Sequence, residues 1–273
     1  MEFALPHWSL LSGLALAGLS AGLAAGLFGI GGGAVIVPVL FLLLNSMGYQ
    51  ETAMHVAVST SLATIIVTSS RSVLAHHAHG AVDWAVIRGW APWIAVGAVA
   101  GVLLADQIDG TALAALFGAM AFLLAAQLYF GRPSWRVAND LPAGGARAAI
   151  AGGVGTLSAL LGIGGGTFGV SLMTVCGRSI HQSVATAAGF GVAIALPATL
   201  AAIFTGWGEP ARPPGSLGYV NIPAFLLISL CTVTMAPIGA ALAHRLNAAL
   251  LKKMFAIILA LVGVRMLLTA AGG

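Results

Sequence analysis

Long apolar stretches separated by short polar connections fill almost the whole chain. In the first half they cover about residues 8–29, 34–48, 54–75, 85–105 and 111–130, and in the second half 146–161, 166–177, 183–206, 219–243 and 250–269. As helices, most of them are long enough for the roughly 30 Å hydrocarbon core of a bilayer, but residues 34–48 reach only about 22 Å. The pattern predicts an all-α polytopic membrane protein that contains some short, broken or re-entrant helices.

The two halves resemble each other. GIGGG occurs at residues 29–33 and again at 162–166, and residues 80–84 align with 215–219. These matches indicate two copies of a unit of about 120 residues, each with about five helical segments. Because an odd number of crossings starts the second copy on the opposite side, we expect inverted-topology repeats. The boundaries would be 1–130 for the first repeat, 131–146 for a cytoplasmic linker and 147–273 for the second repeat.

The scarcity of charge supports the membrane assignment and orients the chain. Only 7% of residues are charged, against roughly 25% in soluble domains, which excludes a soluble protein and, with it, a nucleic-acid-binding role. From an outside N-terminus, nine basic residues fall on one face: Arg71, Arg88, Arg132, Arg136, Arg147, Arg178, Arg245, Lys252 and Lys253. The positive-inside rule makes that face cytoplasmic, with both termini outside.

The two glycine runs are the strongest candidates for a ligand site. They are Gly31, Gly32 and Gly33 in the first half and Gly164, Gly165 and Gly166 in the second. Consecutive glycine N–H groups can cradle an anion, and the positive end of the following helix points to the same place. Two such breaks predict one central anion site between the halves. The alternative is that the glycines only allow helices to cross closely. With no Lys after the run, a nucleotide-binding loop and ATP are excluded.

Hydroxyl side chains follow in the third segment. Ser59, Thr60 and Ser61 are candidate substrate ligands, and Thr60 has Thr186 as its repeat partner, so the two threonines would approach the site from opposite halves. The alternative is hydroxyls that bond to carbonyls of their own helix.

Ionisable residues near segment ends provide further candidates. His55 and His181 are repeat-related, and Arg71 and Arg178 end two segments, so all four are candidates for gates or mouths. Packing for the histidines and topology for the arginines are the alternatives. His76, His77 and His79, with Asp83, raise the alternative of a metal-cation permease, although no metal site or other cofactor is expected. No nucleophile motif is present, so an enzyme is not expected. A third alternative is a non-transporting membrane subunit.

Taken together, several segments resemble the sulfite exporter TauE/SafE family of bacterial membrane transporters. They lie at residues 26–40, 57–65, 76–84, 160–166, 213–220 and 236–246. The resemblance implies a secondary transporter in the bacterial inner membrane that exports small sulfur-containing anions such as sulfite, sulfoacetate or other sulfonates. It also implies roles for the glycine runs, Pro38 and residues 59–61. The second half has Ser171 for Pro38, and Ala185 and Ala187 for Ser59 and Ser61, so we expect unequal contributions to an alternating-access site.

Overall fold

The structure is a computed structural model that describes residues 7–28, 32–130, 138, 140–243 and 248–271. The first half holds α1 (His7–Phe28), α2 (Gly33–Ser46), α3 (Ala53–Ala78), α4 (Trp84–Asp106) and α5 (Gly110–Phe130). The second holds α6 (Gly144–Leu161), α7 (Gly166–Val175), α8 (Ile180–Thr205), α9 (Ile222–Ala243) and α10 (Ala248–Ala271). A two-stranded antiparallel hairpin, β1 (Ser216–Leu217) and β2 (Val220–Asn221), precedes α9. The predicted all-α membrane fold is confirmed.

Helix lengths follow the predicted pattern. Within the described residues, α3, α4, α5 and α8 are long and apolar enough to cross a bilayer. By contrast, α2 has 14 residues and α7 has 10, which correspond to about 21 Å and 15 Å. Both short helices begin at a glycine run, where Gly32 with φ 79° starts α2 and Gly162 with φ 61° ends α6. A side chain is strained at such positive φ values, so these turns require glycine.

Glycines also let pairs of helices approach closely. Helix α1 packs along α9, and α4 packs along α6. A Cβ atom on Gly22 would lie 2.7 Å from the Cα of Thr232, and one on Gly155 would collide with the carbonyl of Ile94. Small residues at such crossings allow backbone-to-backbone contact, which drives helix association in lipid. Gly22 and Gly155 are separated by 133 residues, the same offset as the two glycine runs.

The large helix contacts form a symmetric set. Besides α1 with α9 and α6 with α4, the main pairs are α3 with α8 and α5 with α10. The same pairs result when each helix of the first half is exchanged for its counterpart in the second half, α1 for α6, α2 for α7 and so on. Gly118 in α5 lies against Gly263 and Leu267 in α10, and Phe122, one turn after Gly118, lies against Gly263. The contact thus moves backward along α10 as it moves forward along α5, so the two helices are antiparallel.

The central helices α3 and α8 are also antiparallel. At one end, Thr60 in α3 binds the backbone of Asn221 in the hairpin, and the hairpin returns to α8 because the Tyr219 N–H donates to a carbonyl in its last turn. At the other end, Asp83, which follows α3, binds Thr186 near the start of α8. Residues 52–65 are all buried, which places the first half of α3 in the core.

Candidate functional site

The two glycine motifs meet inside the molecule. A Cβ atom on Gly33, the first residue of α2, would collide with the carbonyl of Gly162 and lie 3.1 Å from Ser61 Oγ. Ser61 Oγ donates a hydrogen bond of 2.8 Å to that same Gly162 carbonyl. The structure therefore brings together the first helix break, the second helix break and α3. Gly31 lies outside the described residues.

The remaining glycines of the runs have other neighbours. A Cβ on Gly32 would lie 3.0 Å from the carbonyl of Ala21 in α1. One on Gly165, which precedes α7, would lie 2.8 Å from both the Gly191 N and the Phe190 Cβ in α8. Gly164 and Gly166 are buried. The start of α7 thus packs against α8, and among the described glycines of the two runs only Gly33 contacts the opposite motif.

Three successive hydroxyls in α3 have three different environments. Ser59 lines a narrow cavity described below, Thr60 accepts a hydrogen bond from the Asn221 N–H at 3.0 Å, and Ser61 holds the Gly162 carbonyl. Further along the helix, Thr64 and Thr68 donate to carbonyls of α3 itself, which is the alternative considered for this segment. Thr60 and Ser61 therefore bind elements of the second half through their hydroxyls.

The paired threonines each bind the opposite half, but at opposite ends of the molecule. Thr60 in α3 accepts from the Asn221 N–H just before α9, and Thr186 in α8 accepts from the Asp83 N–H just before α4, both at 3.0 Å. Both threonines are completely buried. The two hydroxyls therefore do not meet, and each one fixes the start of a helix from the other half.

Asp83 and Asn221 cap equivalent helices in the two halves, although the alignment of the halves by sequence did not match these two residues. Asp83 Oδ1 accepts the N–H groups of Ala85 and Val86, and Asn221 Oδ1 accepts that of Ala224. The alignment of 80–84 with 215–219 would place Asp83 opposite Gly218 instead. An Asn or Asp directly before an apolar run is the usual signal of a helix start, and that signal would have identified Asn221.

An ion-pair cluster lies at the N-terminal end of α4 and consists of Asp83, Asp140 and Arg178. Arg178 Nη2 binds Asp140 Oδ1 at 3.0 Å, and Nη1 lies 3.8 Å from Asp83 Oδ2. Of the other gate candidates, Arg71 and His181 are exposed. The cluster ties the linker, the start of α4 and the residues before α8 together on the face that the charge pattern assigns to the cytoplasm.

At the other end of α4, which terminates at Asp106, lies an open cavity of about 480 Å³, the outer cavity. Four carboxylates line it, those of Glu51, Asp106, Asp109 and Glu209. His55 and Tyr219 line both this cavity and a second cavity of about 10 Å³, the neck cavity, which extends to Ser59 and Thr205. The neck cavity is about the size that one water molecule needs.

His55 lies between the two cavities. Its Nε2 is 3.0 Å from the Ala105 carbonyl and 3.1 Å from the Ile108 carbonyl, and its ring stacks on Tyr219 with centroids 5.2 Å apart. Carbonyls only accept hydrogen bonds, so Nε2 carries a proton. Burial, followed by the negative charges of Asp106 and Glu209, raises the pKa of Tyr219 to about 12, so this phenol stays neutral.

The histidine cluster has local roles. His77 Nδ1 accepts a hydrogen bond from the Trp84 indole at 3.0 Å, and His79 Nδ1 lies 2.9 Å from the Ala75 carbonyl. The Asp83 carboxylate caps α4 and faces Arg178. In the part of the chain that the structure describes, no group of three or more His, Cys, Asp or Glu side chains converges on a metal site. These contacts weigh against the metal-permease alternative.

Apolar helices long enough to span a bilayer, internal helix breaks and an open cavity define the class of membrane transporters. The chain belongs to the Sulfite exporter TauE/SafE family, which matches residues 14–266. It is similar to proteins named "Probable membrane transporter protein" from Haemophilus influenzae, 34% identical over 93% of this chain and 96% of the relative, and from Methanocaldococcus jannaschii, 27% identical over 95% and 96%. A relative from Bacillus subtilis is 30% identical over 59% of this chain and 66% of its own length. No solved structure matches the chain.

Proposed function

We propose that this protein exports small sulfur-containing anions, such as sulfite, sulfoacetate or other sulfonates, across the bacterial inner membrane. The description of the family, sulfite exporter, supports the substrate class and the direction, and the relatives support membrane transport. An anion that leaves a negative-inside cell gains about 2.3 kcal/mol per charge per 100 mV, so export requires no ATP.

The observation that carries the proposal is the contact of Gly33 with the Gly162 carbonyl beside Ser61. Here α2 starts inside the protein, and the first N–H groups of a helix have no carbonyl of their own helix to bind. Together with the positive end of the helix dipole, they suit an anion. A backbone site also avoids the cost of a cationic side chain within the bilayer. The Ser61 hydroxyl, which donates to the Gly162 carbonyl, holds the two helix breaks together beside this site.

The arrangement of the halves supports alternating access as the mechanism. We propose that residues 1–130 and 147–273 are inverted repeats joined by the linker 131–146. The symmetric helix pairing and the antiparallel course of α3 against α8 and α5 against α10 support this relation. In transporters of this kind, one repeat rocks against the other around a site near the midplane.

In this proposal the structure is the outward-facing state. The outer cavity opens at the Asp106 end of α4, whereas the ion-pair cluster with Arg178 closes the Asp83 end. Four carboxylates around the outer cavity would repel an anion that has been released, because like charge lowers the local anion concentration. This charge pattern suits export better than uptake.

Efflux from proteoliposomes tests the proposal. Proteoliposomes loaded with radiolabelled sulfoacetate should lose it faster than protein-free liposomes with the same load when a negative-inside potential is imposed. Ser61→Ala should reduce this efflux, because it removes the donor to the Gly162 carbonyl. Ser20→Ala is the matched control, since Ser20 is exposed and bonds only to carbonyls of its own helix. No efflux of sulfoacetate or sulfite above the protein-free rate would overturn the substrate class.

A further inference from the structure

One ring nitrogen of His55 is buried without a use in the fold. The side chain is 9% exposed, and among the described residues its Nδ1 has no hydrogen-bond partner. Because Nε2–H is directed at two carbonyls, the neutral ring presents a bare lone pair at Nδ1. Buried polar atoms in native proteins are nearly always satisfied, and His55 lines both cavities, so its unused acceptor indicates a ligand.

The charges around His55 favour a cationic ligand. On α4 and the turn after it lie Asp106 and Asp109, and Glu51 precedes α3. From the loop before α9 come Glu209 and Tyr219. Arg212, the cation on this loop, donates to the carbonyls of Glu209 and Gly218. The carboxylates concentrate cations in the outer cavity and repel anions.

The size of the neck cavity restricts that cation further. Its volume of about 10 Å³ leaves space for about one water molecule. Thr205 Oγ1, a second buried polar atom without a partner among the described residues, lies on the same cavity. A sulfur oxyanion or a hydrated metal ion is too large for this passage, whereas a proton moves along a water and two polar side chains.

We propose that His55 Nδ1 is a proton-binding site and that proton entry from the outer cavity is coupled to anion exit. A proton from outer water adds to the Nδ1 lone pair and gives the imidazolium, while Nε2–H stays on the Ala105 and Ile108 carbonyls. After the transporter turns inward, the same Nδ1–H proton passes to water on the cytoplasmic side. This inference rests on the proposed export function and supplies its coupling ion.

Proteoliposomes that contain sulfoacetate and the pH dye pyranine test the coupling. On lowering the external pH from 8 to 6, the wild-type protein should speed sulfoacetate efflux about fivefold or more, and the lumen should acidify as the anion leaves. His55→Gln keeps an amide N–H for the two carbonyls but has no titratable nitrogen. It should lose both the acid stimulation of efflux and the acidification of the lumen. His181→Gln, a change of the exposed repeat-related histidine, should behave as wild type.

A second variant covers the case in which His55→Gln does not fold. Asp106→Asn keeps His55 and removes a carboxylate that lines both cavities. It should weaken the acid stimulation of efflux, because the outer cavity then concentrates cations less strongly. Efflux without lumen acidification, or an unchanged pH response in both variants, overturns the coupling.

A measurement without substrate separates this inference from the proposed function. With ¹³C-labelled histidine in detergent micelles, the resonance missing from His55→Gln identifies His55. It should shift when the pH is lowered from 8 to 6, the interval of the efflux assay. A His55 resonance that shifts without any efflux would refute export and leave the proton site standing. A resonance that stays constant would refute the proton site even if efflux is measured.

Discussion

Replacing Arg178 by Gln should shift the protein away from the outward-facing state. Arg178 binds Asp140 at 3.0 Å and faces Asp83 at 3.8 Å, so both ion pairs are lost while a polar, uncharged side chain remains. If the cytoplasmic face closes through these contacts, their loss destabilises the closed arrangement only. The inward-facing state does not depend on them, so the ratio of the two states changes.

The exposure of the partners sets the size of the effect. The Asp140 side chain is 76% exposed, so its pair with Arg178 contributes less than about 1 kcal/mol. Asp83 is 19% exposed and Arg178 31%, which puts this pair near the upper end of the range for surface pairs. The sum of about 1–1.5 kcal/mol corresponds to roughly a tenfold change in the outward-to-inward ratio.

Cysteine labelling from outside measures this ratio. Gln107, an exposed residue at the outer cavity, is changed to Cys after the native Cys176 and Cys231 are changed to Ala. A membrane-impermeant maleimide should label the Arg178→Gln variant about twofold more slowly if the ratio starts at 10:1, and about fivefold more slowly if it starts at 1:1. Arg71→Gln, an equal loss of charge at an exposed residue on the same predicted face, should leave the rate unchanged.

A double-mutant cycle makes the result decisive. Asp83→Asn removes the charge and keeps a residue that caps helices well, so α4 should start as before. Combined with Arg178→Gln, it should slow labelling no further than Arg178→Gln alone, because the two residues share one interaction. Additive effects, or equal labelling of Arg178→Gln and Arg71→Gln, would refute the closing role of the cluster.

Two further predictions concern packing and ionisation. Gly155→Ala places a Cβ against the carbonyl of Ile94 and should destabilise the protein by about 1–3 kcal/mol, measured as a lower Tm in detergent. Gly153→Ala is the control, because the space around Gly153 is open, and it should leave Tm equal or higher. Equal losses of Tm in both variants would contradict the α4–α6 contact. Tyr219 should ionise near pH 12, so phenolate absorbance in that range should vanish in Tyr219→Phe. Since folding raises this pKa, the contribution of Tyr219 to stability is complete below about pH 10 and is lost as the pH rises through about 12. If Tyr219→Phe instead removes an absorbance step near pH 10, the buried environment of the Tyr219 phenol is refuted.

The hydropathy pattern was sufficient to predict the helices, because a lipid environment strongly favours helical backbone. In a bilayer every backbone group must be satisfied within its own segment, so an apolar run of sufficient length forms a helix regardless of its neighbours. The lengths of α2 and α7 were predictable in the same way, because glycine runs bound their starts and the apolar residues run out soon afterwards. The match of residues 29–33 with 162–166 also indicated that these breaks belong together.

The contacts between the halves were not predictable from local sequence. The bond from the Asn221 N–H to Thr60 joins residues separated by 161 positions, and the Ser61 bond to Gly162 spans 101. Both depend on how α3 packs against the second half, which no local pattern encodes. His55 was recognised as a candidate gate, but its free Nδ1 became apparent only once the Ala105 and Ile108 carbonyls were located at Nε2.

If the two halves are repeats, as proposed above, their differences account for which end is open. The threonine bond to a helix start is the same at both ends, but the residues beside it are not. Asp83 carries a charge where its equivalent Asn221 carries none, and Arg178 occupies the place of Thr52, which lies 126 residues earlier and whose hydroxyl donates to the Ala211 carbonyl. An ion pair therefore forms at the Asp83 end, whereas among the described residues none lies at the other end, where the carboxylates around the outer cavity repel one another. Introducing the charges of one end at the other should then invert the conformational preference, since both ends share the threonine bond to a helix start.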